Sequence, residues 1–120
     1  MKDIKSALEE KRRFLAERAT RIRTAGIPAL QQLILVGHTD TGGGREARAL
    51  LTALYAPQAH SYSLDGLRAF DSELTEAALA VMALDSLAEM SIDRWVPNAA
   101  VIREWSVENM NQHAPVQLTP

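Results

Sequence analysis

An all-α fold, a single-domain bundle of five or six helices with a glycine-rich loop between helices 2 and 3, is what this sequence predicts. Three observations predict it. Apolar residues recur at helical spacing in one segment after another. Residues that cap helix starts and breakers that end them stand between those segments. No part of the chain supplies several strands that could pair, and a lone strand cannot satisfy its backbone ladder. The size and composition agree: 120 residues, 47% apolar and 23% charged, make one globular domain with one core.

Each element has its own justification. Residues 3 to 25 read as a first helix, with Ser6-Ala-Leu-Glu9 as a capping box or Asp3 capping one turn earlier. Ile4, Leu8, Leu15 and Ile22 form a stripe with Ala7, Phe14 and Ala19 beside it, narrowed by Lys11 and Arg18. Gly26 ends this helix, and Pro28 suits the first turn of the next, over residues 28 to 36, with Leu30, Leu33, Ile34 and Val36 in the core. Leu33 to Val36 could equally be a buried strand by periodicity, but no partner strands exist for it. Residues 37 to 44 are the glycine-rich loop. A third helix, from about Arg45 to Tyr55, buries Ala47, Leu50, Leu51 and Leu54, and Pro57 stops it. Ser61 or Ser63 caps a short helix over 64 to 69. Asp71 caps a long helix, roughly 72 to 90, with Glu73 and Glu76 where the helix dipole favours them. Its core face is Leu74, Ala77, Ala78, Val81, Leu84 and Leu87 or Ala88. Pro97 and Asn98 open a last helix, with Val101, Ile102 and Trp105 inward. The expected organisation is a basic amphipathic helix over 1–25, a helical domain over 26–110 and a flexible tail over 111–120.

Composition excludes several functions. There are no cysteines, so disulfides, thiolate metal sites and cysteine nucleophiles are out. No apolar run approaches the ~20 residues a bilayer span needs, and the start lacks the apolar stretch of a signal peptide. A cytoplasmic protein without a membrane role is the expectation. Net charge is −2, but it is unevenly spread. Residues 1 to 25 carry eight basic and four acidic side chains, and the remainder carries five and eleven.

Two places invite a functional reading. On the first helix, Lys11, Arg12, Arg13, Arg18, Arg21 and Arg23 could contact phosphates. Glu9–Arg13 and Glu17–Arg21, at i,i+4 spacing, instead suggest an internally paired, solvated face or a docking face for an acidic protein surface. The loop after the second helix, Gly37-His-Thr-Asp-Thr-Gly42, superficially resembles a phosphate loop. It lacks the lysine and the Ser/Thr hydroxyl that mechanism requires. His38, Asp40, Thr41, Arg45 and Arg48 remain as candidate binding residues at a helix start. The plainer reading is a helix connection capped by Asp40 or Thr41. His38, His60 and His113 do not converge in sequence, so no metal site is expected. Asp71, Glu73 and Glu76 read as helix-start charges and not as a catalytic pair. A Ser–His–Asp arrangement is open by spacing, but no serine lies in a nucleophile elbow.

The middle of the chain also carries motifs. Asp40-Thr-Gly-Gly-Gly-Arg45 resembles the D-T-G-x-S-R opening of an uncharacterised small domain family carried on bacterial plasmids and integrative conjugative elements. Tyr62-Ser-Leu-Asp-Gly-Leu-Arg-Ala-Phe-Asp71 resembles that family's F-D-L-x-x-L-W-x-x-D, and Arg103-Glu-Trp105 its closing R-x-W. The match spans about residues 33 to 107. Gly44 stands in place of the serine, Arg68 in place of the tryptophan, and Tyr55-Ala-Pro in place of a tryptophan-rich segment. The resemblance implies an all-helical domain of mobile-element origin, with no activity to carry over. It implies that Asp40, Thr41, Gly42, Arg45, Leu64, Leu67, Asp71 and Trp105 matter to the shared fold. Physically, Asp71 is then a cap, Leu64 and Leu67 anchor the short helix, Trp105 is core, and Asp40 pairs with Arg45 across the loop.

The function expected from all this is non-catalytic. The chain reads as a protein–protein interaction protein of a bacterial mobile element, and, by analogy with small acidic anti-CRISPR proteins, as an inhibitor of a host defence complex. The alternatives are a nucleic-acid accessory protein that uses the basic helix and a phosphate-ligand binder at the glycine-rich loop. No cofactor, metal or catalytic residue is expected. The partner is another protein, with a second copy as the alternative that the spacing of seven between Leu8, Leu15 and Ile22 allows.

Overall fold

In the computed structural model, which describes residues 3–112, helices account for all of the regular structure. Helix α1 runs from Ile4 to Gly37, α2 from Gly42 to Tyr55, α3 from Ser72 to Ser86 and α4 from Val101 to Gln112. Two short 3-10 helices, Leu64–Ala69 and Pro97–Ala100, lead into α3 and α4. The all-α expectation is met. Residues 111 and 112, expected in the flexible tail, belong to α4; the rest of that expected tail, residues 113–120 with His113, lies outside the described residues.

The main correction concerns the two N-terminal helices, which are one. Gly26 and Pro28 both lie inside α1. Pro28 has no N–H to give the Thr24 carbonyl, but both residues are on the exposed side, where water can serve that carbonyl. Gly26 is there for packing and not as a helix end. A Cβ built on it would stand 2.8 Å from Leu84 Cβ and 3.1 Å from the Ala80 carbonyl oxygen. The missing side chain lets α3 approach α1 closely. The start of α1 is fixed by Asp3, whose Oδ1 accepts from the Ser6 N–H at 2.8 Å.

Smaller corrections follow the same logic. Helix α2 starts at Gly42, three residues earlier than expected, because Thr41 Oγ1 accepts from the Gly44 N–H at 2.9 Å. Helix α3 ends at Ser86 and not near 90, since Ala88 takes a left-handed φ of 55°. Ser63 precedes the first 3-10 helix without a side-chain capping bond; its hydroxyl goes to Asp65 instead. Leu64 is exposed and anchors nothing, whereas Leu67 is half-buried.

The core is built from one face of each helix. Leu30, Leu33 and Ile34 come from α1, Ala47, Leu50 and Leu51 from α2, and Ala77, Ala78, Val81 and Leu84 from α3. Ile102 and Trp105 of α4 complete it, with Phe70, Ile92, Val96 and Ala99 from the connections. Each fully buried aliphatic side chain contributes about 1.5–3 kcal/mol in transfer terms. Val36, Leu54, Leu74 and Val101, also expected in the core, pack on its edge.

Helices α1 and α3 are antiparallel: Arg23 meets Glu89, Gly26 meets Leu84 and Ala80, and Gln32 meets Glu73. Going towards its N-terminus, α1 loses this cover just beyond Ile22. Residues 4 to 21 therefore form an arm of about 27 Å at 1.5 Å per residue. The longest dimension of the molecule is accordingly 77 Å, against 32 and 29 Å across. Eighteen residues are marginal as an isolated helix. Here the packed half of α1 supplies the nucleus, and the arm only has to propagate it.

Candidate functional site

The two predicted sets of binding residues lie at opposite ends of α1. Lys11, Arg12, Arg13, Arg18 and Arg21 are exposed on the arm, whereas His38, Asp40 and Thr41 lie in the short connection after the C-terminus of α1 and Arg45 and Arg48 on the first turns of α2. From Arg21 to His38 is about 25 Å along the axis, so the sets cannot act on one small ligand.

The loop is built by hydroxyls and one guanidinium. Thr39 Oγ1 donates to the Val36 carbonyl at 2.6 Å and meets Thr41 Oγ1 at 2.8 Å. Arg48 donates to the Gly37 and Thr39 carbonyls, so it closes the C-terminus of α1. Gly44 must stay without a side chain, because a Cβ there would sit 2.3 Å from the Thr39 carbonyl oxygen. The serine of the resembling motif would force this loop to shift. Arg45 and Asp40 do pair, at 3.6 Å, but the two side chains are 64% and 99% exposed. A pair that open to water contributes little, so the loop owes its shape to Thr39, Thr41 and Arg48.

Beside the loop lies a cleft of about 480 Å³ between the end of α1, the first turns of α2 and the face of α4. His38 stands edge-on to the Trp105 indole, with ring centroids 5.2 Å apart. Trp105 in turn packs on Gly37, where a Cβ would come within 2.6 Å of the ring. Three polar side chains of the cleft are spent inward. Arg48 is bound as described, and the Thr52 hydroxyl bonds back to the Arg48 carbonyl at 2.8 Å. Asn109 donates to His60 Nδ1 at 3.1 Å. What faces outward is a rim of His38, Arg45 and Glu108.

Sequence reasoning missed the His60 cluster. His60 and Ser106 are both buried, with Nε2 and Oγ 2.7 Å apart. With Asn109 on the other ring nitrogen, the connectivity is that of a nucleophile, a base and an orienting amide. The chemistry differs. The Asn109 amide donates to Nδ1, so the ring proton sits on Nε2 and points at Ser106. Such a ring cannot take the serine proton, and Ser106, only 4% exposed, is in mid-helix and away from the cleft lining. The three residues tie the segment after α2 to α4. No sequence signal marks them, since 46 residues separate His60 from Ser106.

Arg103 and Trp105, two of the motif residues, also have structural work. Arg103 Nε lies 3.4 Å from buried Asp93, and Trp105 closes the core end. Tyr62 is held with its hydroxyl beside the Glu46 carboxylate, but without a hydrogen bond of acceptable geometry. Its burial, and secondly the Glu46 charge, push its pKa up to about 12. Among the described residues no three His, Asp or Glu side chains gather to hold a metal ion. None of the described helices is long and apolar enough to cross a membrane.

The arm is the other site. Ile4 is 80% exposed, Phe14 58%, Leu8 50% and Leu15 49%. The pairs Glu9–Arg13 and Glu17–Arg21, expected from spacing, are not closed among the described residues, so the arm's cations are not neutralised that way. Arg23 differs from the other five basic candidates: both Glu89 oxygens accept from its Nη1, at 2.7 and 2.8 Å, and this fastens α1 to the segment after α3.

Comparison with known proteins adds one finding. The model of a family of unknown function (DUF7673) matches residues 27–106, which is the packed body without the arm. No curated protein and no solved structure matches.

Proposed function

We propose that this chain, which belongs to the DUF7673 family of unknown function, is a non-catalytic protein-binding protein that takes its partner on the arm of α1. One observation carries this reading. Four large apolar side chains stand exposed along an 18-residue stretch of helix with no tertiary cover. Burying such side chains is worth about 1.5–3 kcal/mol each before ordering costs, which suits a helix laid into a partner's groove. The finer form, an inhibitor from a mobile element acting on a host defence complex, rests only on the motif resemblance and on analogy.

A second reading has its own observation: Lys11, Arg12 and Arg13 are consecutive and exposed, as a phosphate-binding arm requires. The phosphate-ligand reading of the loop draws less support, because Arg48 and Thr41 already bind backbone there.

A photoreactive residue placed at Leu8 or Leu15, and separately at Arg13 on the opposite face, tests the proposal in the cells that make the protein. Protein adducts from positions 8 and 15 but not from 13 are expected. Adducts to nucleic acid, strongest from position 13, would favour the second reading.

A further inference from the structure

The apolar stripe of the arm does not stop where the body begins. Positions 4, 8, 15, 22, 26, 33 and 37 follow one another in steps of four or seven, which keeps them on one face of the helix. Within the body that face is covered: Gly26 lies under Leu84 and Ala80 of α3, Leu33 is fully buried, and Gly37 lies under Trp105. On the arm the same face is bare. The cover ends because α3 ends, at Ser86, and the chain turns away at Ala88 with its positive φ. The bidentate contact of Glu89 with Arg23 marks the limit. The arm is thus the unoccupied half of a helix–helix interface whose occupied half is already present.

From this continuity, and resting on the reading of the arm as a protein-docking surface, we infer that the partner element is an acidic amphipathic helix running antiparallel to α1, in line with α3. Space fixes the axis: a helix on this face, next to the end of α3, lies along the line that α3 already occupies, and its antiparallel polarity is taken from that of α3. A second copy pairing in parallel is blocked, because its α1 would run into α3 beyond Ile22. A second copy pairing antiparallel over residues 4 to 21 is opposed by charge. Its centre falls at residues 12 and 13, so Lys11 and Arg12, which flank the stripe, would be crowded against the same cations of the other copy. The protein's own solution for this face is acidic. Residues 71 to 90 contain five carboxylates and no basic side chain, and two of those carboxylates bind α1, Glu73 through Gln32 and Glu89 through Arg23. A partner helix with an apolar stripe flanked by carboxylates would meet Lys11, Arg12 and Arg18 in the same manner.

The probe is a labelled synthetic peptide of residues 71–90, titrated with the full chain at low salt and followed by fluorescence anisotropy. Saturable binding is expected. It should weaken at least tenfold in the Leu8→Gln/Leu15→Gln double variant, whose substitutions are exposed and keep the helix. It should also weaken on raising the salt, because the flanking contacts are between exposed charges. Orientation is read separately. The chain has no cysteine, so Ala19→Cys and Ala7→Cys each introduce one thiol. A cysteine added to the N-terminus of the peptide should form a disulfide with A19C and not with A7C. Preference for A7C overturns the antiparallel arrangement. Equal binding by the double variant places the peptide elsewhere and overturns the site. A dimer of the full chain that the double variant dissolves makes a second copy the occupant and overturns the inference. If the peptide does not bind while photoadducts from Leu8 and Leu15 still appear, the docking reading stands and the acidic helix falls.

Discussion

Gly26 and Pro28 carry the sequence signature of a helix end followed by a helix start, yet both lie inside α1. Replacing each by alanine gives opposite results if the continuous helix is right. Alanine at position 26 gains about 1 kcal/mol of helix propensity. Against that, its Cβ arrives 2.8 Å from Leu84 Cβ and 3.1 Å from the backbone oxygen of Ala80, and neither can swing aside. Overpacking of this kind costs about 1–3 kcal/mol, so Gly26→Ala should lose about 1 kcal/mol net. Pro28→Ala restores the N–H that the Thr24 carbonyl lacks and removes a ring that costs about 3 kcal/mol in a helix interior. The unfolded chain regains some freedom, which returns about 0.4–1 kcal/mol, and the helix has relaxed around the ring. A net gain of about 1–2 kcal/mol is expected. At about 4 °C per kcal/mol for a domain of this size, the two melting midpoints should fall on opposite sides of wild type. Urea unfolding followed by circular dichroism measures the same difference at constant temperature. Gly42→Ala, where nothing lies within 4 Å of the new Cβ, is the control that should lose nothing. A Gly26→Ala variant more stable than wild type would falsify the close approach of α1 and α3. A destabilised Pro28→Ala would mean that proline starts a separate helix, as its sequence context suggests.

Three further outcomes follow from single sites. Ala88 holds a left-handed φ of 55°, so Ala88→Gly should raise stability by about 0.5–1 kcal/mol in the same melts. Ser106→Ala leaves a buried His60 N–H without its acceptor and should cost about 1–3 kcal/mol; a loss below a few tenths would show that the cluster does not tie the segment after α2 to α4. Tyr62 ionises near pH 10 when unfolded and at about 12 in the fold. The native state therefore keeps a proton that the unfolded state gives up, and stability falls as pH rises through that window. Tyr62→Phe should flatten the part of the alkaline decline that the residue causes, and an unchanged slope in alkaline urea titrations would refute the assignment.

Local signals located most of the elements. Asp71 was legible as a cap and Thr41 as one of two candidates with Asp40; the side chains of Thr41 and Asp71 accept from Gly44 and Leu74. The 3.6-residue spacing of Ala77, Ala78, Val81 and Leu84 identified the buried face of α3. The loop residues were legible as a group, but not their roles. Arg48 reads as a free cation in the sequence, and it is the carbonyls at the end of α1, brought near by folding, that take it. The arm's stripe was visible as narrow and interrupted; that the body leaves it uncovered was not.

By itself the sequence determined what depends on neighbours along the chain: the all-α class, the caps, the apolar faces and the separation of a basic N-terminal segment from an acidic body. The tertiary structure decided what depends on neighbours across it. Gly26 ends a helix or admits another one according to whether α3 lies against it, and no local pattern holds that information. Ser106 is an ordinary helix serine until folding sets His60 beside it. Once α1 is one helix, its apolar positions share one face along its whole length. Only the place where α3 stops, at Ser86, divides it into a half that belongs to the core and a half left for a partner.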